Sequence, residues 1–149
     1  MPLERDVDTL RNIPLFAGLP TARLKLIAYT AEVVRFEAGE VMVQQGDVAD
    51  AVYIIIEGEA EVWLADADSH EIHVATMGAN SLLGEIAVIA RSRRTTTVRA
   101  KSRVATFKIS ANVFLDLVRQ SPDIGMQVLT VLAQRLERTT ALLQQHEHH

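Results

Sequence analysis

The sequence predicts one mainly β domain flanked by helices at both ends. Between positions 31 and 109, short β-rich runs alternate with turn signals at the spacing of an all-β barrel or sandwich. On either side, apolar residues recur every three or four positions instead, which is the period of an amphipathic helix. The chain has 149 residues, 48% hydrophobic and 23% charged, enough for a core without metals or disulfides and far from a disordered composition.

At the start, Val7, Leu10 and Ile13 have helical spacing, and Pro14, Leu15, Phe16, Leu19 and Pro20 make a turn. A second helix follows over 21–28, with Leu24, Ile27 and Ala28 on one face and Pro20 suited to its start, so the N-terminal helices occupy 5–30. The β region, 31–109, holds candidate strands at 33–36, 41–45, 51–57, 60–64, 71–76, 95–100 and 104–109. They are punctuated by Gly39, Gly46-Asp47, Glu57-Gly58-Glu59, the loop at 65–69 and Gly78, with glycine where a tight turn needs positive φ. Ser110 caps a helix carrying Val113, Phe114, Leu117 and Val118, and Ser121-Pro122-Asp123 opens the last helix. These C-terminal helices span 110–145, and the closing 146–149, His-Glu-His-His, are set aside as a tail or tag remnant. On the last helix Leu129, Leu132, Leu136, Thr139 and Leu143 have the spacing of a coiled-coil seam. A helix lying on its own barrel is preferred to a homodimer seam, because the stretch barely reaches the heptads a coiled coil requires.

Composition excludes several functions. With no cysteine there are no disulfides, thiolate nucleophiles or iron–sulfur clusters. A net charge of −4 gives no general attraction for nucleic acid; the basic residues Arg91, Arg93, Arg94, Arg99, Lys101 and Arg103 form a local cluster that suits a local anionic ligand. The apolar runs at 51–56 and 128–133 are too short to cross a bilayer and the N-terminus is too charged for a signal peptide, so a cytoplasmic protein is expected. Asp66, Asp68, His70 and Glu71 lack the glycine and closing glutamate of a calcium loop and read as a hairpin loop. His70 and His73, an odd number of residues apart on a strand, face opposite ways and cannot form a metal pair. No Ser/His/Asp set is recognisable, Tyr53 and Trp63 read as packing, and neither catalytic residue, metal nor cofactor is expected.

The segment that carries chemistry is 81–100. Gly84 lets backbone approach a ligand, and 85–90 has the composition of one or two helical turns whose first N–H groups could face an anion. Arg94, nine positions after Glu85, opens a strand that returns beside that helix start, where its guanidinium can hold two phosphate oxygens. Alone, Arg94 reads as a surface arginine in a weak ion pair and Glu85 as a first-turn acid. Their joint spacing with Gly84 and Ala87 turns both towards a site.

Gly84-Glu85-Ile86-Ala87 followed by Arg94-Thr95-Thr96-Thr97-Val98-Arg99-Ala100 resembles the signature of cyclic-nucleotide-binding domains, as in kinase regulatory subunits, gated channels and catabolite-activator-like transcription factors. The earlier Gly46-Asp47, Asp50, Tyr53-Ile54-Ile55, Glu57-Gly58 and Val62 resemble the same family's first hairpins, and the likeness extends from about Leu10 to Gln145. It implies a double-stranded β-helix, a jelly-roll-like β-roll, binding cAMP or cGMP in one pocket. By that resemblance Arg94 pairs with the cyclic phosphate and Glu85 accepts from the ribose 2′-hydroxyl. The amides around Ile86, Ala87 and Thr95 complete the phosphate cradle. Val74, Leu82 and Leu83 touch the base, and the last helix closes over it to signal to an effector domain or protein. Arg93 stands where the family often has proline, and β-branched Thr96, where alanine is usual, narrows the room for the phosphate. Thr95 leaves cGMP open as a ligand. The alternative is a roll without ligand that acts as an interaction or dimerisation module through its last helix.

Overall fold

A computed structural model describes residues 2–147. Two helices, α1 (Pro2–Arg11) and α2 (Thr21–Thr30), precede the strands β1 (Glu32–Phe36), β2 (Val41–Val43), β3 (Ala51–Glu57), β4 (Ala60–Ala65), β5 (Glu71–Met77) and β6 (Leu82–Leu83). The short helix α3 (Glu85–Ala90) then leads to β7 (Thr97–Ala100) and β8 (Val104–Ser110), and α4 (Ala111–Gln120) and α5 (Pro122–Glu147) close the chain. The strands form two four-stranded antiparallel sheets, ordered β1-β8-β3-β6 and β2-β7-β4-β5, in the expected mainly β jelly roll.

Strand β3 shows how the sheets are held. Its run Ala51-Val52-Tyr53-Ile54-Ile55 is buried residue by residue, because alternate side chains point into two different apolar regions. Val52 and Ile54 join Phe107 and Ile109 of β8 under the helices, packed with Leu10, Phe16, Leu24, Phe114, Leu117 and Ile124. Ala51, Tyr53 and Ile55 point into the roll, where Met42, Val43, Leu83, Val98 and Ala100 from both sheets meet them. The same alternation splits β6, sending Leu82 to the helix side and Leu83 into the roll. Between β3 and β4 the chain turns at Gly58 (φ 93°), where a Cβ would overlap the Arg103 carbonyl.

All seven expected strands are present, most with ends within one residue, and the larger shifts fall at one place. β2 stops at Val43 and β7 starts only at Thr97, because loop contacts replace the ladder: Gln45 N donates to Thr97 Oγ1 at 3.0 Å, Gly46 N to Arg94 O at 2.9 Å and Arg94 N to Asp47 O at 2.8 Å. Arg94, Thr95 and Thr96 thus lie ahead of the strand and do not open it. β6 was not expected, since two residues cannot display a period. α1 starts at Pro2 instead of position 5, and α5 runs on through His146 and Glu147 of the supposed tail, while 148–149 lie outside the described residues.

Ser110 caps α4 as expected, its Oγ accepting from Val113 N at 3.3 Å. Helix α5, 26 residues and about 39 Å long, buries apolar side chains against the domain only in its first half. Ile124 and Val128 are buried and Leu132 partly so, but from Leu136 to Gln144 every described side chain is exposed. The expected helix lying on its own barrel is thus seen over the first part of α5, while its apolar residues beyond Leu132 leave the barrel. No helix among the described residues is long and apolar enough to cross a membrane.

Candidate functional site

The inner core of the roll ends in a pocket of about 190 Å³. Its floor and far wall are apolar, with Val43, Val62, Leu83 and Val98 below and Val74, Ala75 and Met77 of β5 to the side. The polar wall is built by the turn into α3. Gly84 sits in the left-handed region (φ 83°) as the residue before α3, and a Cβ there would overlap the Arg94 guanidinium. Glycine is therefore required twice, for its backbone angle and for the arginine packed on it.

Arg94 reaches this turn from the loop ahead of β7 and is only 6% exposed. Its Nη1 donates to Gly84 O at 3.0 Å and its Nη2 to Ala51 O at 2.6 Å, with Asp50 Oδ1 3.9 Å away at the surface. Two of its five N–H donors are thereby committed and the planar fork is held in one orientation. Glu85, fully buried, sits beside it as the first residue of α3. One carboxylate oxygen, Oε1, accepts from Arg135 Nη1 of α5, and Arg135 Nη2 donates to Leu82 O at 2.6 Å. The other, Oε2, is buried with no hydrogen-bond partner among the described residues. Burial raises the Glu85 pKa above its ordinary 4.5, and this outweighs the opposing pull of Arg135, the backbone hydrogen bond at Glu85 itself and Arg94. A buried carboxyl with one unsatisfied oxygen is a strong acceptor for a neutral hydroxyl, which satisfies it without adding charge.

Residues 33–121, more than half of the chain, match the family model of the cyclic nucleotide-binding domain. The chain belongs to this family. It is 32% identical, over 77% of its length, to the cAMP-dependent protein kinase regulatory subunit of Blastocladiella emersonii, but spans only 28% of that protein. Among solved structures it resembles the regulatory domain of Toxoplasma gondii PKA with cAMP (TM-score 0.80, 20% identity, 89% of this chain and 50% of that one). It also resembles the regulatory subunit of a cAMP-independent protein kinase A from Trypanosoma brucei (TM-score 0.71, 25% identity, 87% and 52%). The chain thus corresponds to the cyclic nucleotide-binding part of longer relatives.

Of the residues singled out from the sequence of this cyclic nucleotide-binding domain, Val74, Leu83, Gly84, Glu85, Ile86, Ala87, Arg94, Thr95 and Thr96 all line the one pocket. Leu82 does not. Its side chain is buried on the helix side, because adjacent residues of a strand face opposite ways, and only its carbonyl reaches towards the site, through Arg135. Sequence reasoning missed Arg135, Arg138 and Thr139, which line the pocket from α5. The signal was present: Leu132, Arg135 and Thr139 share one face at spacings of three and four, while Leu129, Leu136 and Leu143 share another. Treating all the leucines as one stripe hid the two faces.

The remaining basic and acidic residues lie elsewhere. Arg93 is exposed and donates to Gly46 O at 3.1 Å, and Arg99 holds Glu71 at 2.8 Å with its guanidinium 5.8 Å from the Trp63 ring. Asp66, Asp68 and His70 cluster at the exposed β4–β5 hairpin, where Asp66 Oδ1 accepts from the N–H groups of Asp68 and His70 and closes the turn. His73 contacts Glu61 and the Trp63 ring, away from His70.

Proposed function

We propose that this domain binds a cyclic mononucleotide, cAMP or cGMP, and reports it by shifting α5. The carrying observation is the buried pair Arg94 and Glu85 in the polar wall of one otherwise apolar pocket, with Glu85 Oε2 lacking a partner among the described residues. Arg94 offers its remaining N–H donors to the equatorial oxygens of the cyclic phosphate, helped by the amides around Ile86, Ala87 and Thr95. Glu85 Oε2 accepts from the ribose 2′-hydroxyl, and the base lies against Val74 and Leu83. Thr96, half-buried at the pocket wall, limits the depth at which the phosphate sits. No bond of the ligand is broken, so the chain acts as a regulatory module and not as an enzyme.

Arg135 links the ligand to the helix. It joins α5 to Glu85 and to the Leu82 carbonyl, so any repositioning of Glu85 by a ribose hydroxyl alters the contacts that hold α5. A ligand whose contacts are better in one position of α5 than in another shifts the population towards that position. The receiver of the signal is an effector domain or protein, met in the cytoplasm.

A second reading concerns that receiver. Met126, Leu129, Ala133, Leu136, Thr140 and Leu143 follow one another at alternating spacings of three and four, and all are exposed. This row has leucine at every second position and fits a two-stranded coiled coil with a second copy of the chain. It differs from the row expected from the sequence, since Leu132 and Thr139 turn towards the domain and its pocket. The homodimer uses the outer face of α5 and leaves the nucleotide reading intact.

Isothermal titration with cAMP and with cGMP tests the function. Binding to at least one nucleotide, weakened tenfold to hundredfold in Arg94→Ala, is expected, from the loss of charge-assisted hydrogen bonds worth about 1.5–3 kcal/mol. A folded protein that takes up neither nucleotide overturns the proposal and leaves an interaction module.

A further inference from the structure

Three guanidinium groups line the pocket against a single carboxylate, and their surroundings differ. Arg94 is held by two backbone carbonyls, and Arg135 by Glu85 and a third carbonyl. Arg138, one turn further along α5, makes no hydrogen bond or ion pair among the described residues and is exposed to solvent at the pocket mouth. Neither the cyclic phosphate, met by Arg94, nor the ribose, met by Glu85, requires it.

The remaining part of a nucleotide is its base. With phosphate and ribose against α3, the base occupies the space between β4 and β5, represented by Val62, Val74 and Ala75, and the face of α5 that carries Arg138 and Thr139. The apolar side accepts the flat ring of any purine. The polar side discriminates, because a guanidinium presents only donors. Guanine offers it two adjacent acceptors, O6 and N7, which a fork of two N–H groups fits. Adenine offers N7 beside an amino group that is itself a donor. We propose that Arg138 is a specificity-determining residue that reads the O6/N7 edge of guanine and makes the site selective for cGMP over cAMP. This rests on the nucleotide-binding reading above. Arg138 contributes to choice and not to holding the phosphate, so its loss affects cGMP more than cAMP.

The test is a titration of the intact chain with cGMP, cAMP and 7-deaza-cGMP, which lacks the N7 acceptor. The parent should bind cGMP roughly tenfold more tightly than cAMP, with 7-deaza-cGMP losing most of that advantage. In Arg138→Ala, cGMP should weaken to near the level of cAMP, and cAMP should weaken less, since adenine offers the guanidinium one acceptor, N7, where guanine offers two. Arg138→Gln, whose amide can donate to N7 and accept from the adenine amino group, should shift the preference towards cAMP. Because Arg138 is exposed and has no partner among the described residues, both variants should fold as the parent does, which circular dichroism checks. Equal binding of cGMP and cAMP by the parent, or a cGMP preference that survives Arg138→Ala, overturns the assignment while nucleotide binding stands. Binding of neither nucleotide overturns both.

Discussion

The two apolar regions of this domain share strand β3 yet end differently. On the helix side, Val52 and Ile54 meet α1, α2, α4 and α5 in a region whose members are all hydrophobic. Inside the roll, Ala51, Tyr53 and Ile55 meet residues of both sheets, but that region runs out into a pocket walled by a buried arginine and a buried glutamate. The first region is closed by helices and supplies stability. The second gives up burial at one end, accepts the desolvation of Glu85 and Arg94, and provides a place where a ligand can complete the packing and the hydrogen bonding. A domain of this size can carry such a defect because its other core is complete.

That contrast can be broken most forcefully at Phe114, which is fully buried in the helix-side region. Phe114→Ala should lower stability by about 3–5 kcal/mol in urea unfolding, while any folded fraction keeps its ligand affinity, since the pocket is lined by other residues. A small loss would mean that the helices add little and that the contrast is false.

A subtler effect is expected from Glu85→Gln. The folded-state pKa of Glu85 is raised above 4.5 by burial, so below that pH the carboxyl is neutral in both folded and unfolded chains and costs little. As the pH rises through the raised value, the unfolded chain ionises first and the parent loses stability relative to the variant. Unfolding of both proteins at a series of pH values should show this widening difference. A difference that stays flat or runs the other way would show that Arg135 more than repays the burial of the charge.

The smallest effect on folding is expected at Leu136, 68% exposed on the outer face of α5. Leu136→Asp should change the stability of a single chain by no more than about 0.5 kcal/mol, yet convert a dimer to a monomer in sedimentation velocity. A parent that sediments as a monomer at high concentration would remove the coiled-coil reading and leave the pocket untouched.

Much of this was legible in the chain because it depends on short-range rules. The strands declared themselves through β-rich runs between turns, and the helix starts through local chemistry, the cap at Ser110 and the first-position proline Pro122. Gly84, Glu85 and Arg94 could be placed in one site because their spacing returns the arginine to the turn before α3. Leu82 and Leu83 show where such reading stops. Two adjacent leucines look equivalent in sequence, and only the pairing of β6 with β3 decides that one faces the helices and the other the pocket. The start of β7 was likewise misjudged, because Thr95 and Thr96 have strand-like side chains but their neighbours spend their hydrogen bonds on the loop at 46–47.

By itself, then, the sequence determined the order of helices and strands, the mainly β class and the glycine, glutamate and arginine of the site. Periodicity, turn chemistry and motif spacing all act within a few residues. The tertiary structure alone decided that Arg135, Arg138 and Thr139, some fifty positions beyond Glu85, come over the pocket, and which face of α5 is left to solvent. Those contacts depend on the angle at which α5 leaves α4 and on where Ile124 and Val128 find cover. Long-range packing of that kind leaves no periodic trace in the chain, because the same helical repeat serves a core, a pocket or a partner equally well.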